Sequence, residues 1–329
     1  MRTTRWAVLG PGEIGGWFAR ALPRSEHGTL HAVASRDPGR AEAFAREHDA
    51  PVTGTYDEIL ARDDVDAVYV ATVHTTHADL AVAALGADKA VLCEKPVAPT
   101  QAETDRVLAA AAEHGVPFVE AYKHRFGPLA RALDEHVARG DLGSPLRVAS
   151  SFGFAAPDRS GRLFDPGLAG GAILDVGGYP VALAVALAAA AGVDVADLDV
   201  AATTGAVGDT GVDEHATATI VADGLTAEVA CSIVADLPRS AVVSGPGGVV
   251  HLDDAYGSRA ASAASFVVRQ DGTERRVGVV PVDPFAAEAD AVSRALADGR
   301  TEVPEMPWSR SRAVARLLDR WRDGLSASA

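Results

Sequence analysis

Cysteine is nearly absent from this chain: Cys93 and Cys231 are the only two in 329 residues. Two thiols exclude a disulfide framework, and they lack the spacing of a metal site. Cys93 lies in an apolar stretch and reads as a plain buried thiol. Basic residues are also in deficit, with 30 Lys and Arg against 45 Asp and Glu and a formal net charge of −15. That balance argues against nucleic acid or an anionic membrane surface as a partner. Long apolar runs are missing too. The longest, 181–193, is Ala-rich and short of the roughly 20 residues a bilayer requires, so it reads as a buried helix. The chain enters a strand directly, without a signal-peptide stretch, which makes the cytoplasm the expected location. There is no internal repeat and no low-complexity linker.

What remains is ordinary globular material, 48% hydrophobic and 23% charged. The length exceeds a usual single core, so two domains are expected, 1–121 and 122–329. The first part alternates strand and helix: strands at 6–9, 30–34, 67–71, 90–93 and 116–119, with helices at 14–22, 40–48, 78–85 and 101–114 between them. Near-continuous apolar strands separated by amphipathic helices predict a parallel sheet covered on both faces. After a helix over 126–139, strand-like runs dominate, at 146–154, 199–204, 216–222, 227–234, 241–243, 249–252 and 265–269. One strong helix, 180–191, interrupts them, and two close the chain at 284–298 and 309–325. The fold class expected is α/β: an N-terminal Rossmann domain, then an α/β domain with a large, open, mostly antiparallel sheet.

Gly10, Gly12 and Gly15 fit G-x-G-x-x-G between the first strand and the first helix. The first Gly allows the tight turn, the second lets backbone approach a pyrophosphate, and the third lets helix pack on strand. With Glu13 and Ile14 they open a helix whose N–H groups face a phosphate. At the end of the second strand, NAD-specific sites usually carry an acid for the ribose 2′-hydroxyl. Ser35 stands there, followed by Arg36, with Arg40 one turn on. A neutral Ser and a guanidinium suit a 2′-phosphate, so NADP is favoured over NAD. Asp37 keeps the NAD alternative open.

In the run Thr72-Val73-His74-Thr75-Thr76-His77 a strand gives way to a helix at the carboxyl edge where ligands bind. Thr72, His74 and His77 are therefore candidates for the coenzyme, either His at the nicotinamide ribose. A surface His with a purely structural role is the alternative for each. Cys93-Glu94-Lys95-Pro96 ends the next strand at the same edge, adding Glu94 and Lys95. Pro96 holds its predecessor extended, and the Lys95 ammonium can stabilise alkoxide character on a substrate oxygen. In Gly170-Gly171-Ala172-Ile173-Leu174-Asp175-Val176-Gly177-Gly178-Tyr179, Asp175 and Tyr179 are four apart and share a helix face. A phenol titrates at about 10 when unperturbed; a neighbouring cation eases proton transfer from it. Arg125 and Phe164 are further candidates for the pocket wall.

Taken in order, these motifs, together with Glu120-Ala121-Tyr122 and Arg125-Phe126, resemble the Gfo/Idh/MocA oxidoreductases over nearly the whole chain. The resemblance implies a Rossmann domain followed by an open-sheet domain that commonly forms dimer contacts, hence a homodimer or homotetramer. It implies that Lys95 is the catalytic lysine of the Glu-Lys-Pro motif and that Asp175 and Tyr179 line the substrate pocket. Tyr179, Ser35-Arg36 and Arg162-Leu163-Phe164-Asp165-Pro166 are similar to the branch of glucose–fructose oxidoreductase, NADP-dependent xylose dehydrogenase and trans-dihydrodiol dehydrogenase. Ala172, Val73 and Lys123-His124 depart from the family pattern. The expected activity is hydride transfer between NADP or NAD and a secondary alcohol of a carbohydrate, polyol or cyclic diol. The alternatives are an NAD-dependent glycoside hydrolase of the same fold and a nucleotide-binding sensor without catalysis.

Overall fold

A computed structural model describes residues 2–326. The chain divides into two units. The first takes in residues up to Gly127, together with Arg259–Ala261 and Val282–Trp308. It opens with β1 (Thr4–Leu9), α1 (Glu13–Ala21), β2 (Gly28–Ala34), α2 (Pro38–His48), β3 (Val52–Gly54) and α3 (Tyr56–Leu60). It continues with β4 (Ala67–Val70), α4 (His74–Gly86), β5 (Ala90–Glu94), α5 (Gln101–His114) and β6 (Phe118–Ala121). The six strands are all parallel, in the order β3-β2-β1-β4-β5-β6.

Trp6 to Leu9 and Ala67 to Val70 are wholly buried. Helices on both faces leave no polar side to such strands. Each large apolar side chain so buried contributes about 1.5–3 kcal/mol. The helices begin where short polar side chains cap them: Asp37 for α2, Thr55 with Glu58 in a capping box for α3, and Thr100 for α5. Strand β3 was not expected, because three residues are too few to show a period. The strand order reverses between β1 and β4. In open α/β sheets that reversal marks the ligand crevice, at the carboxyl ends of the strands.

The second unit comprises Pro128–Ser258, Ser262–Pro281 and the chain from Ser309 onward. It contains α6 (Pro128–Ala138), β7 (Leu146–Ala155), α7 (Gly178–Ala190), β8 (Asp199–Val207), β9 (Asp213–Ala222), β10 (Leu225–Ser232) and β11 (Val234–Leu237). Strands β12 (Ala241–Gly245), β13 (Gly248–Leu252), β14 (Ala264–Gln270) and β15 (Thr273–Val279) complete a nine-stranded sheet. Its order is β15-β14-β13-β12-β7-β10-β9-β8, with β11 also on β7. One pair, β7 with β10, is parallel, and the others are antiparallel. Strand β15 escaped the sequence reading because Thr-Glu-Arg-Arg hides its period. Charged side chains on an edge strand also deter pairing with another chain.

Two helices follow, α8 (Pro284–Ala297) and α9 (Trp308–Ser326). The single boundary expected at 121/122 does not describe the contacts, since α8 belongs to the first unit. Its apolar face (Phe285, Ala289, Val292) is buried against α1 and β5, and Asp290 accepts the His27 N–H at 3.0 Å. The apolar stretch of α7 is also longer than 181–193 suggested. Pro166–Ala190 is long and apolar enough to cross a membrane, and 94% of its most apolar window is buried inside the protein. It packs on β7 and β10 as a core helix.

Candidate active site

In the first unit the glycine loop is built by close contact. Gly10 has φ +99°, and a Cβ there would lie 2.8 Å from Thr72 Cγ2 and 3.0 Å from the Ala71 carbonyl oxygen. A Cβ on Gly15 would lie 2.8 Å from the Gly10 oxygen, so α1 can press onto β1 only with Gly at that place. Gly12 is different: among the described residues nothing lies within 4 Å of where its side chain would be. It is the N-cap of α1, and no side chain caps the helix. The first-turn amides of Glu13 and Ile14 thus face an open cradle that fits a pyrophosphate. A bound nicotinamide coenzyme would be held there and would supply or accept hydride.

At the end of β2, Ser35 is buried and its Oγ accepts the Asp37 N–H at 3.1 Å. Asp37 Oδ1 in turn accepts the Arg40 N–H at 3.3 Å, so that carboxylate is engaged in capping α2. Arg36 and Arg40 are exposed, and Arg40 Nη2 reaches back to the Pro11 carbonyl at 3.4 Å. Burial pushes the Tyr56 phenol up, and Arg36 and Arg40 oppose the shift, which groups all three at this corner.

At the ends of β4 and β5, His77 is buried with Nδ1 2.8 Å from the Pro96 carbonyl and Nε2 3.2 Å from the Thr72 carbonyl. Its ring ties the two strand-end loops together. His74 is also buried and meets it edge-on, centroids 5.8 Å apart. Tyr69 donates its hydroxyl to Glu94 Oε1 and stacks on Phe18 at 4.1 Å. Burial raises the Glu94 carboxyl, opposed first by Lys95. The backbone around Lys95 is held from beyond: the Lys95–Pro96 peptide is cis, and Glu120 Oε1 accepts the Val97 N–H at 3.3 Å. Arg125 is buried in the 3-10 turn Lys123–Arg125. His124 is kept neutral by burial, then by Arg125 and Lys123.

Glu288 on α8 was missed. It is wholly buried, and among the described residues neither carboxyl oxygen has a hydrogen-bond partner. Burial raises its pKa well above 4.5, Glu94 and Asp283 add to the rise, and Lys123 opposes it. The signal was in the helix period, since Glu288 stands on the apolar stripe of Phe285 and Val292. The unfolded chain loses this proton near 4.5 while the folded protein keeps it, so folding stability falls as pH rises above that value. Glu288→Gln copies the neutral acid. Its melting temperature, by calorimetry, is expected to gain on wild type as pH rises; a gap that does not vary with pH contradicts a neutral carboxyl.

In the second unit, Gly171 has φ +107°, and a Cβ there would lie 2.3 Å from Asp213 Oδ1. Asp213 Oδ2 accepts the Ile173 N–H at 2.6 Å, anchoring the helix that carries the candidate residues. Burial pushes this carboxyl up to about 6, against the pull of that N–H. The helix enters as a π-turn, Ile173–Gly177, before α7. Asp175 therefore sits on a π-turn rather than on the regular α-helix assumed from its spacing to Tyr179; such turns recur at functional sites. Asp175 is buried, and its Oδ1 accepts from Arg162 Nη2 at 2.9 Å. The Tyr179 ring lies 5.1 Å from Phe152 and 5.5 Å from Tyr256. Tyr256 is bonded to Ser150 Oγ, and Arg239 lies 5.3 Å over the Phe152 ring. Phe164 is buried beneath the Arg159 guanidinium, 5.6 Å from its ring. Arg162 entered the sequence reading only as part of the Arg162–Pro166 stretch, and Phe152, Tyr256 and Asp213 gave no signal there; these three reach the segment from other strands and loops.

A glycine cradle at the strand-order reversal gives the first unit the form of a dinucleotide-binding domain. Residues 4–122 match the oxidoreductase family profile with an NAD-binding Rossmann fold, and residues 130–251 match the GFO/IDH/MocA C-terminal domain. The chain is 32% identical to the trans-1,2-dihydrobenzene-1,2-diol dehydrogenase of Mus musculus, covering 98% of this chain and 97% of that one. It is 35% identical to a D-xylose 1-dehydrogenase (NADP(+)) of Haloferax volcanii, covering 91% and 90%. Among solved structures it is similar to KijD10, a 3-ketoreductase of Actinomadura kijaniata in complex with NADP and TDP-benzene. That likeness has a TM-score of 0.87 at 26% identity and covers 98% of each chain. The chain belongs to the Gfo/Idh/MocA oxidoreductase family and is an NAD(P)-binding dehydrogenase or reductase acting on CH–OH groups.

Proposed function

We propose that this enzyme moves a hydride between nicotinamide C4 and a secondary carbinol carbon of a sugar, polyol or cyclic diol, with NADP preferred. The observation that carries the reading is Asp175, buried and fixed by Arg162, one turn before a Tyr179 ring packed on Phe152 and Tyr256. An apolar, aromatic surround with one fixed carboxylate suits a ring bearing vicinal hydroxyls. In the oxidative direction Tyr179, as the phenolate that the Lys95 cation favours, takes the hydroxyl proton and becomes the phenol as the C–H bond gives up its hydride to the coenzyme. Lys95 stabilises the negative charge that develops on the substrate oxygen. Asp175 accepts a hydrogen bond from a neighbouring hydroxyl, and Arg162 holds it in place. Phe164 contributes to the pocket wall on the second unit, and His74 contacts the coenzyme on the first. His77 acts by holding the Thr72 and Pro96 loops in register.

NADP preference is supported by Ser35 in the ribose position, Asp37 being engaged with Arg40 N–H, and Arg36 and Arg40 grouped near Tyr56. A nucleotide-linked hexose is the second reading of the substrate, favoured by the likeness to the ketoreductase bound to TDP-benzene. This reading keeps the homodimer or homotetramer that the resemblance implies, which sedimentation velocity measures. It also keeps a cytoplasmic setting, in line with two buried free thiols.

Coenzyme absorbance with NADP⁺ and, separately, NAD⁺ tests the proposal against aldoses, inositols, cyclic diols and a nucleotide-linked hexose. Reduction is expected with at least one class and faster with NADP⁺. Preference for NAD⁺ would move the ribose contact to Asp37. Silence across the panel from protein that binds coenzyme would overturn the substrate class.

A further inference from the structure

Glu13 is an acid at the first position of α1, the helix that forms the dinucleotide cradle. The helix dipole favours an acid there. For a bound pyrophosphate, however, that carboxylate is a like charge at the rim of its site. The first unit supplies an answer from a remote part of the chain. Arg259 Nη1 donates to Glu13 Oε1, across 246 positions of sequence. Arg259–Ala261, from the loop between β13 and β14, groups with the first unit. The residues on either side, Ser258 and Ser262, are joined hydroxyl to hydroxyl at 3.2 Å, which closes the base of this short loop.

Both side chains are substantially exposed, 48% for Arg259 and 75% for Glu13. An ion pair so open to water adds little to folding, so stability is a weak reason for this contact. A guanidinium carries five N–H donors in a planar fork. It can keep Nη1 on Glu13 and offer another edge to a phosphate oxygen.

We propose that Arg259 is a coenzyme-retaining residue, positioned by Glu13 at the mouth of the glycine loop and paired with the dinucleotide pyrophosphate. The inference rests on dinucleotide binding by the first unit and is independent of the substrate. It makes Glu13 the residue that aims the cation, and it gives the cradle a charge that the glycine motif lacks.

The test is equilibrium binding to the full-length protein by calorimetry, with NADPH and with adenosine 2′-phosphate, which has no pyrophosphate. Arg259→Ala is expected to raise Kd for NADPH about tenfold and to leave Kd for adenosine 2′-phosphate unchanged. Arg259→Lys, which keeps the charge and loses the fork, is expected to fall between. Melting curves identify any variant that fails to fold, and the Lys variant then decides. Unchanged NADPH affinity in folded Arg259→Ala, or equal losses for both ligands, overturns the proposal. A wild-type protein that binds neither NADPH nor NADH overturns the coenzyme reading itself, and this inference with it.

Discussion

Lys95→Ala is expected to retain coenzyme binding and to turn over about 10²–10⁴-fold more slowly, the range for loss of a group acting in proton transfer and charge stabilisation. The size follows from position. Lys95 stands at the carboxyl edge of β5, one residue after Glu94, whose carboxylate takes the Tyr69 hydroxyl. Glu94 is thus directed into the domain, and Lys95 follows it at the edge where the coenzyme cradle opens. The fold should survive the substitution, because the Tyr69–Glu94 bond, the His77 contact to Pro96 and the Glu120 contact to Val97 do not involve the Lys95 side chain. The loss should fall on kcat rather than KM, since the developing negative charge exists only in the transition state. Lys95→Arg, which keeps the charge and changes the geometry, should recover only part of the rate. Steady-state kinetics at saturating coenzyme decides the matter. An alanine variant with wild-type kcat contradicts the catalytic role.

Tyr179→Phe is expected to lower kcat by about 10²–10³-fold while leaving the melting temperature close to wild type. The ring is held by Phe152 and Tyr256, and phenylalanine keeps both contacts. Only the hydroxyl is removed, so the loss reports proton transfer and not packing. Combined with Lys95→Ala, the second substitution should cost far less than it does alone, because residues that act as a unit are not additive. Full additivity in the double variant would assign the two residues to separate tasks.

How far these residues could be read in advance depends on what fixes each of them. Gly10, Gly12 and Gly15 were legible because a tight turn, an open cradle and a close helix–strand approach each demand glycine within six positions of one another. The parallel strands were legible because burial on both faces leaves an unbroken apolar run, as at Ala67–Val70. Lys95 and Tyr179 were legible as motif members. Their surroundings were not. Asp213 anchors Ile173 across 40 positions, and Arg162 meets Asp175 only because the 3-10 turn at Arg162–Phe164 folds back on the helix. Glu288 drew no reading from the sequence, because its burial beside Glu94 and Lys123 comes from where α8 packs. His77 shows the opposite case: it was legible as a residue at the ligand edge, and the structure gives its ring two backbone carbonyls. Local sequence reports turns, caps and periods; the partners of a side chain come from topology.

The central claim is hydride transfer from substrate carbon to nicotinamide, and the most direct measurement follows that atom. The enzyme would be supplied with NADP⁺ and its best substrate carrying deuterium at the carbinol carbon, and the coenzyme analysed by mass spectrometry. The account predicts NADPH carrying one deuterium, formed in step with ketone product and about 10²–10⁴-fold more slowly in Lys95→Ala. Product formed with no deuterium in the coenzyme pool, or glycoside cleavage without net reduction, would contradict it.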